Sequence, residues 1–174
     1  NPPRTALPAD LSELKLWQFD GKVGLRTSEQ AKSAFINWQQ QRDDFRIDLH
    51  GPFGQGRVRI ESSADGVRLR DGDHVETALN AEQLLFQVTG LRLPVSNLVY
   101  WVRGIPSPKM PMPTDVSSSE DSESRTFSQG EWRIEILRFY DDGYSSLPAK
   151  LRVTHADFRL TIVIKKWRVD ATDL

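Results

Sequence analysis

The stretch FRIDLHGPFGQGRVRIE, residues 45–61, determines the fold expected for this chain. Each half alternates apolar and polar residues, which is typical of antiparallel strands with one buried and one solvated face. The apolar positions are Phe45, Ile47, Leu49, Val58 and Ile60. The glycines and the proline between the halves predict a tight hairpin turn.

The same alternation recurs along much of the chain and predicts a mainly β protein. The alternating segments are 17–26, 45–50, 57–61, 67–71, 132–136, 150–154 and 158–164. Turn signals lie at Asp65-Gly66, Asp71-Gly72, Gln129-Gly130 and Asp142-Gly143. Many short strands separated by such turns predict a barrel or a curled antiparallel sheet.

Two segments in the middle of the chain have helical spacing instead. Residues 79–90 place Leu84, Leu85 and Val88 on one side, with Asn80 as the N-cap in a capping box with Gln83, and Gly90 as the stop. Such helices must bury their apolar faces against the sheet.

Residues 94–104 predict a second helix, whose apolar positions are Leu98, Val102 and either Trp101 or Val99. A weaker third helix is predicted over residues 9–15. The segment 106–124 is rich in proline, serine and acidic residues, and we expect an extended or mobile loop there.

Composition excludes several classes of function. With 23 basic and 24 acidic residues among 174, the chain lacks the basic excess of a nucleic-acid-binding protein. It contains no cysteine, and its three histidines share no metal-ligand spacing, so we expect no metal, no cofactor and no enzymatic activity.

The length fits one domain over residues 11–170, preceded by an arm or tether over residues 1–10. The chain begins without methionine or a signal peptide, so we expect a processed or trimmed form.

The five tryptophans and eight phenylalanines allow two interpretations. They could form a filled core, which patterning alone favours, or line a barrel that holds an apolar ligand under a helical lid. Phe53 at the hairpin tip also allows two interpretations: it could fold back onto the sheet, or it could insert into a membrane or a partner. The outward-facing Arg57, Arg59, Arg68 and Arg70 are interpreted as a solvated face, with carrier docking as the alternative.

The order of these segments resembles the LolB family of outer-membrane lipoprotein receptors. WQFDGKVGLR is similar to the family's first strand, and FINWQQQRDDFRIDLHGPFGQG to its next strands and apolar turn. VTGLRLPVSNLVYWVRGIP resembles the lid helices, and LPAKLRVTHADFRLTIVIKKWRV the final hairpin. The resemblance covers residues 11–170 and implies an incomplete, half-open antiparallel β-barrel with short α-helices over an apolar cavity.

The resemblance also implies a function and its site. A LolB-like protein takes the acyl chains of lipoproteins from the periplasmic carrier LolA and releases them into the inner leaflet of the outer membrane. The implied membrane-inserting loop is Pro52, Phe53 and Gly54, and the implied lid is Leu84, Leu85, Val88, Leu98, Trp101 and Val102. The implied cavity is lined by Phe19, Val23, Leu25, Ile36, Trp38, Phe45, Ile47, Leu49, Val58, Ile60, Leu69, Trp132, Ile134, Ile136, Leu151, Val153, Leu160, Ile162 and Ile164.

The sequence departs from the family in its lack of cysteine, since LolB proteins are anchored through a lipidated N-terminal cysteine. We therefore expect a periplasm-facing monomer whose native form is lipid-anchored in the outer membrane, the anchor having been trimmed or replaced here. The inward positions depend on strand register, and Lys165-Lys166 is the expected place of a bulge. The alternative function is a non-enzymatic envelope interaction domain with a filled core, in which Phe53 docks onto a protein.

Overall fold

The computed structural model describes residues 7, 10–51, 57–121, 123–141, 144 and 146–169. In this part of the chain eleven strands form one antiparallel sheet, in the order β6-β5-β4-β3-β2-β1-β11-β10-β9-β8-β7. The strands are β1 (Leu16–Arg26), β2 (Ala31–Gln41), β3 (Asp44–His50), β4 (Arg57–Ser63), β5 (Gly66–Asp71), β6 (His74–Ala78), β7 (Thr114–Ser118), β8 (Arg125–Gln129), β9 (Trp132–Phe139), β10 (Pro148–His155) and β11 (Phe158–Val169). Because β6 and β7 are the two edges and do not pair, the sheet is open, which confirms the predicted half-open architecture.

Two helices, α1 (Ala81–Thr89) and α2 (Val95–Trp101), connect β6 to β7 along the chain and cover the inner face of the sheet. Asn80 caps α1 as predicted, because its Oδ1 accepts a hydrogen bond from the Gln83 N–H at 2.8 Å. The capping box is not the expected one, since the Gln83 side chain accepts from the Leu79 N–H, one residue earlier. Gly90 ends α1 in the left-handed conformation, with φ of 74°.

A bulge divides β1 and β11 into two parts, as predicted. Asp20 pairs with Lys166 and Gly21 pairs with Ile164, so Lys165 is the extra residue. The inward positions of β11 therefore change from Ile164 to Trp167 across the bulge. Glycine is required opposite it, because a Cβ on Gly21 would lie 2.1 Å from the Val163 carbonyl oxygen.

Other expectations need correction. The predicted loop 106–124 contains strand β7, and the third helix is a single 3-10 turn over Leu11–Glu13. Strands β6 and β8 were not predicted, because apolar and polar residues do not alternate clearly in them. Val88, expected on the buried side of α1, is 44% exposed, because the helix buries Ala81, Leu84 and Leu85 instead.

Candidate functional site: the apolar interior and its mouth

The two ends of the sheet differ, and the strand connections define them. Because consecutive strands are antiparallel, the β1–β2, β3–β4, β5–β6, β8–β9 and β10–β11 connections all lie at one end. We call this end the mouth. The opposite end, where β1 begins and β11 finishes, we call the closed end.

Four aromatic rings pack against one another at the closed end. Trp17, Phe19, Trp38 and Trp167 are each at most 4% exposed. The Phe19 and Trp167 ring centroids lie 5.2 Å apart in an edge-to-face arrangement, and those of Trp17 and Trp38 lie 5.6 Å apart. The Trp167 Nε1 donates a 2.7 Å hydrogen bond to the Pro148 carbonyl, so its polar atom is satisfied inside the core.

The middle of the inner face is filled by branched side chains. They pack against one another and against the helices as a single cluster, and each is at most 7% exposed. These residues, all among the predicted cavity positions, are Ile36, Ile47, Ile60, Leu69, Ile134, Ile136, Leu151, Val153, Leu160, Ile162 and Ile164. In the state described here the interior is therefore packed.

Packing loosens toward the mouth. Val23, Leu25, Leu49 and Val58 face inward from β1, β3 and β4 but are only half-buried. Trp132 and Phe158 are also half-buried, with ring centroids 5.8 Å apart. Phe45, another predicted cavity position, is also half-buried, but it lies at the closed end rather than at the mouth.

An open cleft of about 890 Å³ lies at the mouth. The α1–α2 segment forms one wall with Phe86, Leu91, Leu93 and Pro94, and strands β9 to β11 contribute Trp132, His155 and Phe158 to the other. Its volume falls within the range of roughly 300–1,000 Å³ typical of small-ligand pockets. The cleft is mainly apolar, so it could hold part of a hydrocarbon chain.

A second cleft, of about 620 Å³, lies at the closed end and differs in chemistry. Its walls include Lys15, Asp43, Asp44, Glu82 and Arg103 beside the apolar residues. Charged side chains of both signs would be desolvated by a hydrocarbon chain, which is unfavourable. The cleft at the mouth also has charged side chains in its walls, namely Glu82, Arg92 and Asp157, but most of its lining surface is apolar, so it is the better candidate for an apolar ligand.

Helix α2 is fixed to the sheet by a buried glutamine that sequence reasoning missed. The Gln129 side chain, 1% exposed, accepts hydrogen bonds of 2.8 Å from the Trp101 Nε1 and from the Ser107 N–H. Its amide donates to the carbonyls of Ser107 and Pro111 at 3.0 and 2.9 Å. The available signal was a glutamine at an inward position of a strand, next to the predicted Gly130 turn.

Arg103 provides a second anchor for α2. It is 4% exposed, and its guanidinium donates to the carbonyls of Val99, Leu11 and Leu14 at 2.9 to 3.0 Å. Burial lowers the pKa of Arg103 from its ordinary value, although arginine remains protonated at neutral pH. The segment after α2 is thereby joined to the start of the described chain.

Helix α1 is held mainly by apolar contacts and by one hydrogen bond to α2. It buries Ala81, Leu84 and Leu85, and the Glu82 carboxylate accepts a 2.6 Å hydrogen bond from the Ser96 N–H of α2. Phe86 on its outer side is 45% exposed and lies under the Arg92 guanidinium. Of the predicted lid residues, Leu84, Leu85, Leu98, Trp101 and Val102 form the buried layer, and Val88 lies outside it.

The predicted membrane-inserting residues Pro52, Phe53 and Gly54 lie outside the described residues. Their flanking residues, His50 at the end of β3 and Arg57 at the start of β4, lie at the mouth. Among the described residues no group of three or more histidine and acidic side chains could hold a metal ion. Neither α1 nor α2 has the length and apolar character needed to cross a membrane.

Solved structures share this open antiparallel sheet with helices over its inner face. A solved LolA superfamily protein from Nitrosomonas europaea superimposes with a TM-score of 0.53 at 6% identity, covering 93% of this chain and 88% of the other. A DUF1329 family protein from Desulfovibrio piger gives a TM-score of 0.50 at 7% identity, covering 92% and 88%. At such low identity these similarities establish the fold alone.

Sequence comparison identifies the family within this fold. The profile of the family described as "Outer membrane lipoprotein LolB" matches residues 15–167. The outer-membrane lipoprotein LolB of Cellvibrio japonicus is 37% identical, covering 91% of this chain and 80% of the relative. That of Marinomonas sp. is 35% identical, covering 96% and 87%. The chain therefore belongs to the LolB family of outer-membrane lipoproteins, which is not a family of enzymes.

Proposed function

We propose that this protein accepts the acyl chains of lipoproteins from a LolA-type periplasmic carrier and passes them to the inner leaflet of the outer membrane. The acyl chains would occupy the apolar interior beneath α1 and α2. The protein would act as a periplasm-facing monomer, with its native form attached to the membrane by a lipid.

One observation carries this proposal: the apolar cleft, the half-buried inward residues and the β3–β4 hairpin all lie at the mouth. A ligand that leaves the cleft would therefore emerge at the same end of the sheet as the β3–β4 connection. The closed end differs, since its four aromatic rings are buried against one another and the cleft beside them has charged walls.

The acyl chains would enter the packed interior as well as the cleft, so part of the interior would have to open. Helix α1 is the element that would move, because α2 is held by the buried side chains of Gln129 and Arg103. Displacing α1 would uncover Leu84 and Leu85, and a bound hydrocarbon chain would replace their contacts with the sheet. The packed interior and the acyl-chain cavity would thus be two states of one site.

Transfer would proceed by graded affinity, because the sequence contains no energy-coupling motif. Each buried methylene is worth about 0.8 kcal/mol, so a multi-chain lipid cannot cross water unshielded. It would pass from a weaker carrier to this interior and then to the more favourable bilayer. Phe53 would touch the bilayer only transiently, since one aromatic ring contributes roughly 1.5–3 kcal/mol.

Transfer of a purified acylated lipoprotein from the carrier to this protein, and then to liposomes, tests the proposal. We expect saturable binding of the acylated lipoprotein and none of its unacylated form. Phe53→Glu should bind the lipoprotein nearly as wild type does but deliver it to liposomes about tenfold more slowly, because a charge opposes insertion. Leu79→Glu is the matched control, since Leu79 is 79% exposed and lies at the closed end.

Delivery by Phe53→Glu at the wild-type rate would refute the role of the hairpin tip. Absence of binding to a folded sample would refute the acyl-chain interior. It would favour the second candidate, an envelope interaction domain, which the packed interior also fits. In that case Phe53→Glu should weaken binding to a protein partner instead.

A further inference from the structure

A row of outward-facing residues crosses six strands and ends at the β3–β4 hairpin. Strand register places its members side by side from β10 through β11, β1, β2 and β3 to β4. The row, which we call the basic row, consists of Lys150, Val163, Lys22, Phe35, His50 and Arg57. It contains three cations and no acidic residue.

Phe35 is the centre of this row, although it lies on the outer face of the sheet. The Lys22 Nζ lies 5.1 Å from its ring centroid, and the Nζ of Lys165, the extra residue of the bulge, lies 5.8 Å away. The His50 ring stacks on it with centroids 5.1 Å apart. An aromatic ring is thus half-buried among cationic stems whose charged ends reach solvent.

The neighbouring row on the same face has a different composition. There Asp20 pairs with Lys166, and Asp48 pairs with Arg59 through a 2.7 Å hydrogen bond that raises the pKa of the arginine. The positive charges of Lys166 and Arg59 are therefore balanced by the neighbouring carboxylates of Asp20 and Asp48. Since the formal net charge of the chain is −1, the uncompensated charge of the basic row is a local property of this face.

The position of the basic row links it to the hairpin tip. His50 and Arg57 are the last residue of β3 and the first of β4, so the row ends at the base of this hairpin. The connecting residues 51–56 include no acid in the sequence. At its far side the row is followed on β9 by Arg138, and the acidic Asp141 lies only beyond that strand.

We propose that the basic row binds the anionic phospholipid headgroups of a bilayer surface. Charge complementarity supports this occupant, since each lysine or arginine near an anionic membrane strengthens partitioning by about fivefold. The exposed part of the Phe35 ring could insert among the headgroups, as apolar side chains flanked by lysine and arginine do in interfacial helices. The inference deepens the proposed function, because headgroup binding would orient the mouth and the hairpin tip toward the membrane.

Flotation of the 174-residue chain with lipid vesicles, without any lipoprotein, tests the inference. The vesicles contain phosphatidylcholine alone or equal parts of phosphatidylcholine and phosphatidylglycerol, at low salt and at increasing salt. We expect wild type to prefer the anionic vesicles at least tenfold and to lose this preference as salt screens the charges. The triple variant K22Q/R57Q/K165Q should bind them on the order of a hundredfold more weakly.

The matched control is R46Q/R68Q/R168Q, which removes the same charge from exposed positions on the same face. Arg46 is four residues from His50, about 13 Å along the strand and beyond the screening length of roughly 10 Å. We expect this control to weaken binding no more than threefold. K22R/K165R keeps the charge and should bind as wild type does.

Equal binding of wild type to both kinds of vesicle would overturn the inference, as would equal losses in the two triple variants. The alternative partner of the basic row would then be an acidic protein surface. This outcome differs from failure of the proposed function, because K22Q/R57Q/K165Q leaves the inner face unchanged. Its binding of acylated lipoprotein should equal that of wild type whether or not the row binds headgroups.

Discussion

The closed end and the mouth use the same kinds of residue but pack them to different degrees. At the closed end four aromatic rings fill the space between the strands and are almost fully buried. At the mouth, valine, leucine, tryptophan and phenylalanine are half-buried around an open cleft. Because burial is greater around the four rings, we expect the closed end to contribute more to the free energy of unfolding than the mouth does.

Truncating one aromatic residue at each end should give the largest difference. Phe19→Ala at the closed end is expected to lower the free energy of unfolding by about 3–5 kcal/mol, since its ring is fully buried. Phe158→Ala at the mouth should cost only about 1 kcal/mol, because its ring is half-buried. Urea unfolding of both variants measures this, and equal losses would remove the distinction between the ends.

The bulge that divides the two ends should be nearly as sensitive. Gly21→Ala places a Cβ 2.1 Å from the Val163 carbonyl oxygen, so the backbone must shift, at a cost of about 3 kcal/mol. Gly24→Ala, three residues closer to the mouth, meets no heavy atom within 4 Å. We expect the Gly24 variant to unfold within about 0.5 kcal/mol of wild type. A harmless Gly21→Ala would show that the bulge can relocate.

The attachment of helix α2 to the sheet through Gln129 should show an effect of intermediate size. Gln129→Leu leaves the Trp101 Nε1–H and the Ser107 N–H without their acceptor, so we expect a loss of about 2 kcal/mol in the free energy of unfolding. Hydrogen exchange should also become faster in α2. The control Gln39→Leu removes a single long hydrogen bond to Asn37 and should change stability by less than about 0.5 kcal/mol. Unchanged exchange in α2 would mean that Gln129 does not anchor it.

The smallest expected effect is at the connection between the helices. Gly90 has φ of 74° and no heavy atom near the position of a Cβ, so Gly90→Ala costs only backbone strain of about 1 kcal/mol. Hydrogen exchange should speed up in α1 and remain unchanged in β1. Faster exchange in both would show that the mouth and the closed end unfold together.

The sequence predicted the features that rest on local physics. Alternation located β1, β3 to β5 and β9 to β11, and the cap at Asn80 and the stop at Gly90 located α1. The lysine pair in β11 predicted the bulge, because two adjacent charges cannot continue an inward and outward alternation. The open sheet and the family followed from the order of the segments.

The features that the sequence did not predict depend on distant contacts. Strand β7 is exposed at every position, so no periodicity marks it. The turns after β2 and β10 use Arg42 and Ala156 with φ of 58° and 49°, where glycine would have been the expected signal. Gln129 and Arg103 became visible only through their partners, because a buried polar side chain cannot be distinguished from an exposed one by its residue type.

The unpaired edges of the sheet have a mechanical consequence. Within the described residues no backbone hydrogen bond joins β6 to β7, and the chain segment between them carries α1 and α2. The sheet can therefore widen along this seam without breaking any ladder between strands, and the resistance comes only from side-chain contacts. If acyl chains enter the interior as proposed, the open sheet could widen to fit them, whereas a closed barrel of the same strands would have a fixed circumference.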